Sequence, residues 1–200
     1  KRYFPRQASS GTVNIACGLN VAYYFCNGSR EFGSDLPAGS DDEFTDSSYD
    51  RGLTTPISTR YQLESWDMVN KGPGGYAVYT NKKPRNVVRV GELIALNDDE
   101  NAGQNWIPGA VRWLMIQRDG AHKIGIQILN KTVRSGGVRA LKGSEREQQF
   151  RRALLLSDTT DANFALVAPR GLHVIDRPIE VFIDGKRLQA KMTDLVESTV

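Results

Sequence analysis

The chain is poor in the residues that build small stapled or metal-held folds. It has only two cysteines, Cys17 and Cys26, among 200 residues, and two thiols exclude a disulfide framework as the source of stability. Both read as reduced and structural. Histidine is equally scarce: His122 and His173 lie far from each other and from both cysteines, so no zinc-ligand spacing exists. No apolar run approaches the ~20 residues that cross a bilayer as a helix. No secretory leader precedes the first motif, and a cytoplasmic location is the expectation. A large excess of charge of one sign is missing as well. The formal net charge is +3, too small for a broad electrostatic grip on nucleic acid. Nor is there a glycine-rich phosphate loop ending in Gly-Lys-Ser/Thr, which argues against nucleotide hydrolysis.

What is present reads as a soluble globular composition, 40% hydrophobic and 24% charged. This length suits one large β domain or two small ones. Positive charge gathers at the N-terminus and between Arg134 and Arg152, whereas Glu31 to Asp50 is acidic. Residues 12–26 read as a strand followed by a second strand or a short helix. From 27 to 59 the chain is rich in Gly, Ser, Asp and Pro and reads as an acidic insertion. Between 61 and 130, short β-branched and aromatic runs alternate with turn signals, the pattern of an antiparallel barrel or sandwich. Within Ala110–Ile116, strict alternation predicts Val111 and Trp113 on one face and Arg112 and Leu114 on the other. Residues 131–152 read as a basic linker with a short helix over Ser144–Arg152, capped by the serine. Four further strands are expected over 153–200, with Asp184-Gly185 as a hairpin turn.

Two short stretches carry the chemistry. Arg2-Tyr-Phe-Pro-Arg6 sets two guanidinium groups four residues apart, and such forks grip phosphates and stack on flat bases. Asn70-Lys-Gly-Pro-Gly-Gly75 is a turn whose glycines let a ligand approach the main chain. Each has an ordinary reading too, as a solvated basic terminus and as a hairpin turn. The three tryptophans, Trp66, Trp106 and Trp113, read as core or barrel-rim residues. For catalysis the sequence offers little: the carboxylates sit mainly in the acidic insertion, and neither histidine adjoins a nucleophile in a recognisable motif. The reading is not an enzyme.

The first stretch matches Arg-x-x-x-Arg, and the second resembles Asp/Asn-x-Ser-x-x-Gly with Gly72 in place of Ser. After them come Tyr76-Ala-Val-Tyr, Val90-Gly-Glu-Leu-Ile-Ala-Leu, Gly109-Ala-Val-Arg-Trp and Ile124-Gly-Ile-Gln-Ile. That succession resembles the PilZ domain, the bacterial receptor module for cyclic di-GMP, over roughly residues 1–130. The resemblance implies a mainly β fold: a six-stranded antiparallel barrel with a smaller C-terminal β extension at 153–200. It implies a ligand, cyclic di-GMP, and no cofactor or metal. It places the ligand against Arg2, Arg6, Asn70, Gly72 and Gly75, with Arg112 as a further contact. It also implies a downstream protein partner or flanking domain, moved when the arginine arm orders on the ligand. Two other readings compete with the receptor: a ligand-blind protein-interaction module of the same fold, and a small barrel for single-stranded nucleic acid. The small net charge and acidic insertion count against nucleic acid as a partner.

Overall fold

The computed structural model describes residues 7–34, 43–44, 56–98, 105–129, 132–142, 145–146, 149–157 and 164–196. In chain order the elements begin with β1 (Gln7–Ala8), β2 (Thr12–Cys17), α1 (Leu19–Cys26), β3 (Glu43–Phe44) and α2 (Ile57–Arg60). They continue with β4 (Glu64–Gly72), β5 (Gly75–Thr80), β6 (Leu93–Asp98), β7 (Ile107–Ile116) and β8 (His122–Ile128). The rest are β9 (Val133–Lys142), β10 (Glu145–Arg146), β11 (Gln149–Leu156), β12 (Ala165–Val167), β13 (Pro178–Ile183) and β14 (Lys186–Lys191).

Six of these strands close a barrel. β2 pairs with β4 and β6, β4 with β5, β5 with β8, β8 with β7, and β7 returns to β6, all antiparallel. Alternate side chains point inward, so Ile15, Trp66, Val78, Ile94 and Ile124 meet in one apolar interior. Burying each such side chain stabilises the fold by about 1.5–3 kcal/mol. Val88, from the loop joining β5 to β6, packs onto the same core and stoppers one end.

Two β-bulges break the alternation. One lies between Met68 and Asn70, the other between Val111 and Trp113. The second corrects the face assignment over Ala110–Ile116. Arg112 is the extra residue, so Val111 and Leu114 both pack on the barrel core. Trp113 instead lies on the outside against Gly125, where a Cβ would strike the indole. Gly125 stands between Ile124 and Ile126, which both face inward.

A second sheet has the order β12-β11-β9-β13-β14, with β10 on β9 and β3 parallel to β11. Here the structure overturns the basic linker and short helix read over 131–152. Residues 133–142 are the central strand β9, and Gln149–Arg152 opens strand β11. The Gly136-Gly137 pair that suggested a loose connector is buried; a Cβ on Gly136 would stand 2.5 Å from the Phe182 carbonyl oxygen. Polar composition favours a helix in the second stretch. Pairing with β9 overrides it, with Phe150 fully buried and Arg152 nearly so. Arg139 and Glu180 lie side by side in this sheet, each side chain 4% exposed.

Helix α1 joins the two sheets. Ala22 and Tyr23 pack against Ala16 and Ala95 on the outside of the barrel and against Leu154 of β11. The Arg152 guanidinium sits over the rings of Tyr23 and Phe32. Among the described residues no helix is long and apolar enough to cross a membrane.

Both cysteines are free thiols, and burial pushes each from the ordinary 9.0 up to about 12. The folded chain therefore keeps both protons where an unfolded chain releases them, so unfolding is favoured as pH rises from 9 towards 12. A thiol-reactive dye at pH 8 should spare the buried Cys17 in the native protein and reach both thiols in denaturant. Rapid labelling of Cys17 in the native chain would contradict its burial.

Candidate ligand site

The site is built on the β4–β5 hairpin. Gly72 and Gly75 face each other across the ladder, and Pro73-Gly74 makes the two-residue turn. Proline fits because its fixed φ suits a turn and its missing N–H is not needed there. Gly75 is required by packing: a Cβ would run into the Ile126 carbonyl oxygen of β8. The bulge at Val69 then resets β4, placing Asn70 opposite Ala77 and Lys71 opposite Tyr76.

The arm meets this hairpin directly. β1 pairs with β4, with Ala8 opposite Asn70 and Gln7 opposite Lys71. Arg2 and Arg6 lie outside the described residues. The chain immediately after Arg6 is therefore laid along the strand that carries Asn70.

On the outer surface the register makes two rows. Asn70, Ala77 and Gly125 form the first, a floor of small residues beside the Trp113 indole. Gly72, Gly75 and Gln127 form the second. Arg112 Nε donates to Gln127 Oε1 at 2.6 Å, which carries its side chain toward this second row. Asn70, Gly72, Gly75 and Arg112 thus share one face of the barrel. The Asn70 Oδ1 is buried and has no hydrogen-bond partner among the described residues. An orphaned acceptor costs about 1–3 kcal/mol, and a donor such as a guanine N–H would relieve it.

Inside the barrel mouth, beneath the hairpin, Lys71 Nζ lies 2.7 Å from Asp98 Oδ2, and the Tyr76 hydroxyl donates to the same oxygen at 2.9 Å. The Asp98 side chain is only 1% exposed. Burial, then the hydrogen bond to Asp98, pushes the Tyr76 hydroxyl up to about 12, so it stays a donor. This tie holds β4, β5 and β6 together under the site. Sequence reading did not find Lys71, Tyr76 and Asp98 as a group, nor Gln127 and Trp113. Only barrel closure brings Asp98 to Lys71, and only the bulge turns Trp113 outward. His122 and His173 each face a main-chain carbonyl oxygen, of Gly120 at 2.9 Å and of Thr193 at 3.1 Å.

Residues 38–134 match the family model described as "Cyclic-di-GMP receptor FimW, middle PilZ domain". This stretch is similar to PilZ domains. The match takes in β4 to β8, while the arm and the closing strand β2 precede it. Across 96% of its length the chain is also 23% identical to the cyclic-di-GMP receptor FimW of Pseudomonas aeruginosa. It spans 37% of that protein's length. No solved structure matches the chain. Beyond the PilZ pattern, Gly72 still stands where the motif has serine.

Proposed function

We propose that this chain is a non-enzymatic, cytoplasmic receptor that binds cyclic di-GMP on the outer face of the barrel, between the β1 arm and the β4–β5 hairpin. The register of β1 is the observation that carries this reading. With Gln7 opposite Lys71, the chain that follows Arg6 runs beside the strand of the Asn70–Gly75 hairpin. Cyclic di-GMP offers two phosphates and two guanines. Arg2 and Arg6 pair with phosphate oxygens, reach a guanine O6/N7 edge and stack over a base. Asn70 Oδ1 accepts from guanine N–H groups, and the glycine rows let base and ribose lie on the main chain. Arg112 closes the far side of the same face. Seating of the arm on the ligand is the switch, read out by a protein partner or a flanking domain.

Isothermal titration with cyclic di-GMP tests this. Saturable heat at micromolar ligand is the expected result; no heat at that concentration overturns the receptor reading in favour of a ligand-blind module. Gly72 has none of the positive φ that would bar a side chain. Gly72→Ser should therefore fold normally and tighten binding several-fold, by one hydrogen bond of about 0.5–1.5 kcal/mol.

A further inference from the structure

We infer that the barrel end opposite the ligand hairpin is a docking surface for an anionic lipid membrane. The strands define this end. β5 leaves the hairpin at Gly75 and finishes at Thr80, which pairs with His122 of β8; His122 in turn faces Ile116 of β7. The loop from 81 to 92 and the turn from 117 to 121 therefore share the end remote from Gly72–Gly75.

Apolar side chains stand in water there. Val87 is 69% exposed, Val90 60%, Ile116 61% and Met115 54%. Val88 points the other way, into the barrel, and anchors the loop that lifts its neighbours outward. β7 also projects: its last hydrogen bonds to the β6 side are made at Val111, leaving Arg112–Ile116 paired to β8 alone.

Cations stand on the same loop and turn and on the adjoining start of β8. Lys82, Lys83, Arg118 and Lys123 make no ion pair among the described residues. Of the carboxylates nearby, Glu64 Oε1 accepts from the Arg85 and Asn86 amides and Asp119 Oδ1 from the Ala121 amide, while Glu92 is half-buried and faces the charges of Arg89 and Arg170. Separate apolar residues on projecting loops, accompanied by lysine and arginine, suit the headgroup layer of a membrane. The side chains enter the acyl boundary and the cations meet anionic headgroups. A protein partner fits less well, since lysine is depleted from protein interfaces and a stable one needs a broad complementary area. This surface is independent of the ligand site, and its test does not depend on cyclic di-GMP binding.

Co-sedimentation of the purified chain with two kinds of vesicle decides the matter: phosphatidylcholine alone, and phosphatidylcholine with about one third phosphatidylglycerol. Binding should be confined to the anionic vesicles and weaken with salt. Lys82→Gln with Lys83→Gln should lower it by about 30-fold, at about 1 kcal/mol for each lost cation. Val87→Ser with Val90→Ser should also lower it, and neither pair should change the titration with cyclic di-GMP. Absence of binding to anionic vesicles, or equal binding to neutral ones, overturns the proposal. So does capture of a protein through this surface by a chain that ignores vesicles.

Discussion

Alanine at both Arg2 and Arg6 is expected to weaken cyclic di-GMP binding by about 10²–10⁴-fold, since each hydrogen bond to a charged group contributes about 1.5–3 kcal/mol. Titration calorimetry reads the affinity, and a thermal melt run alongside should show little change. Among the described residues the arm meets the barrel through the short β1 ladder, at Gln7 and Ala8, whereas the core rests on side chains such as Trp66 and Ile94. Lysine at the same two positions should recover only part of the loss. It restores charge but not the planar fork that grips phosphate or the flat face that stacks on guanine. A double alanine variant that binds as tightly as the parent would remove the arm from the site. A smaller loss should follow Asn70→Ala, whose unpartnered Oδ1 is a single contact.

The largest expected effect on stability lies in the second sheet. Glu180→Ala should destabilise the chain by about 3–5 kcal/mol, because it leaves the Arg139 charge buried without its carboxylate. Both Arg139 Nε, at 2.8 Å, and Nη2 donate to Glu180 Oε2, and the guanidinium lies over the Phe150 ring, 4.1 Å from its centroid. Replacing the two charges together, Glu180→Leu with Arg139→Met, should recover most of that loss, since apolar packing of similar volume often matches a buried ion pair. Urea denaturation followed by tryptophan fluorescence measures both variants. Equal stability of Glu180→Ala and the parent would show that water reaches this pair.

What could be read in the sequence depended on how local the cause was. The Asp184-Gly185 turn was legible because a two-residue hairpin loop needs positive φ, and these residues have φ of 49° and 73°. The barrel strands were legible in type, through β-branched runs and turn residues. The PilZ motifs placed the hairpin at Asn70–Gly75 correctly. Non-local causes hid the rest. Nothing within Lys131–Arg152 announces that β9 will lie between β11 and β13, and without those neighbours its glycines and arginines look like a linker. Bulges were equally hidden: one added residue at Arg112 reverses the face of everything after it. The same holds for the tie beneath the site, whose members Lys71 and Asp98 stand on strands that do not pair with each other.

The way β2 closes the barrel also bears on how the chain is made. Its partners are residues 64–67 on one side and 94–98 on the other. β2 must therefore wait, with both its edges unpaired, until a long stretch of later chain has left the ribosome. Contacts of such high sequence separation slow folding, because loop-closure entropy must be overcome before the contacts can repay it. Helix α1, which follows β2 directly, lies over the finished barrel next to this seam. The barrel thus closes late, since β2 completes its ladders only after both β4 and β6 have been made.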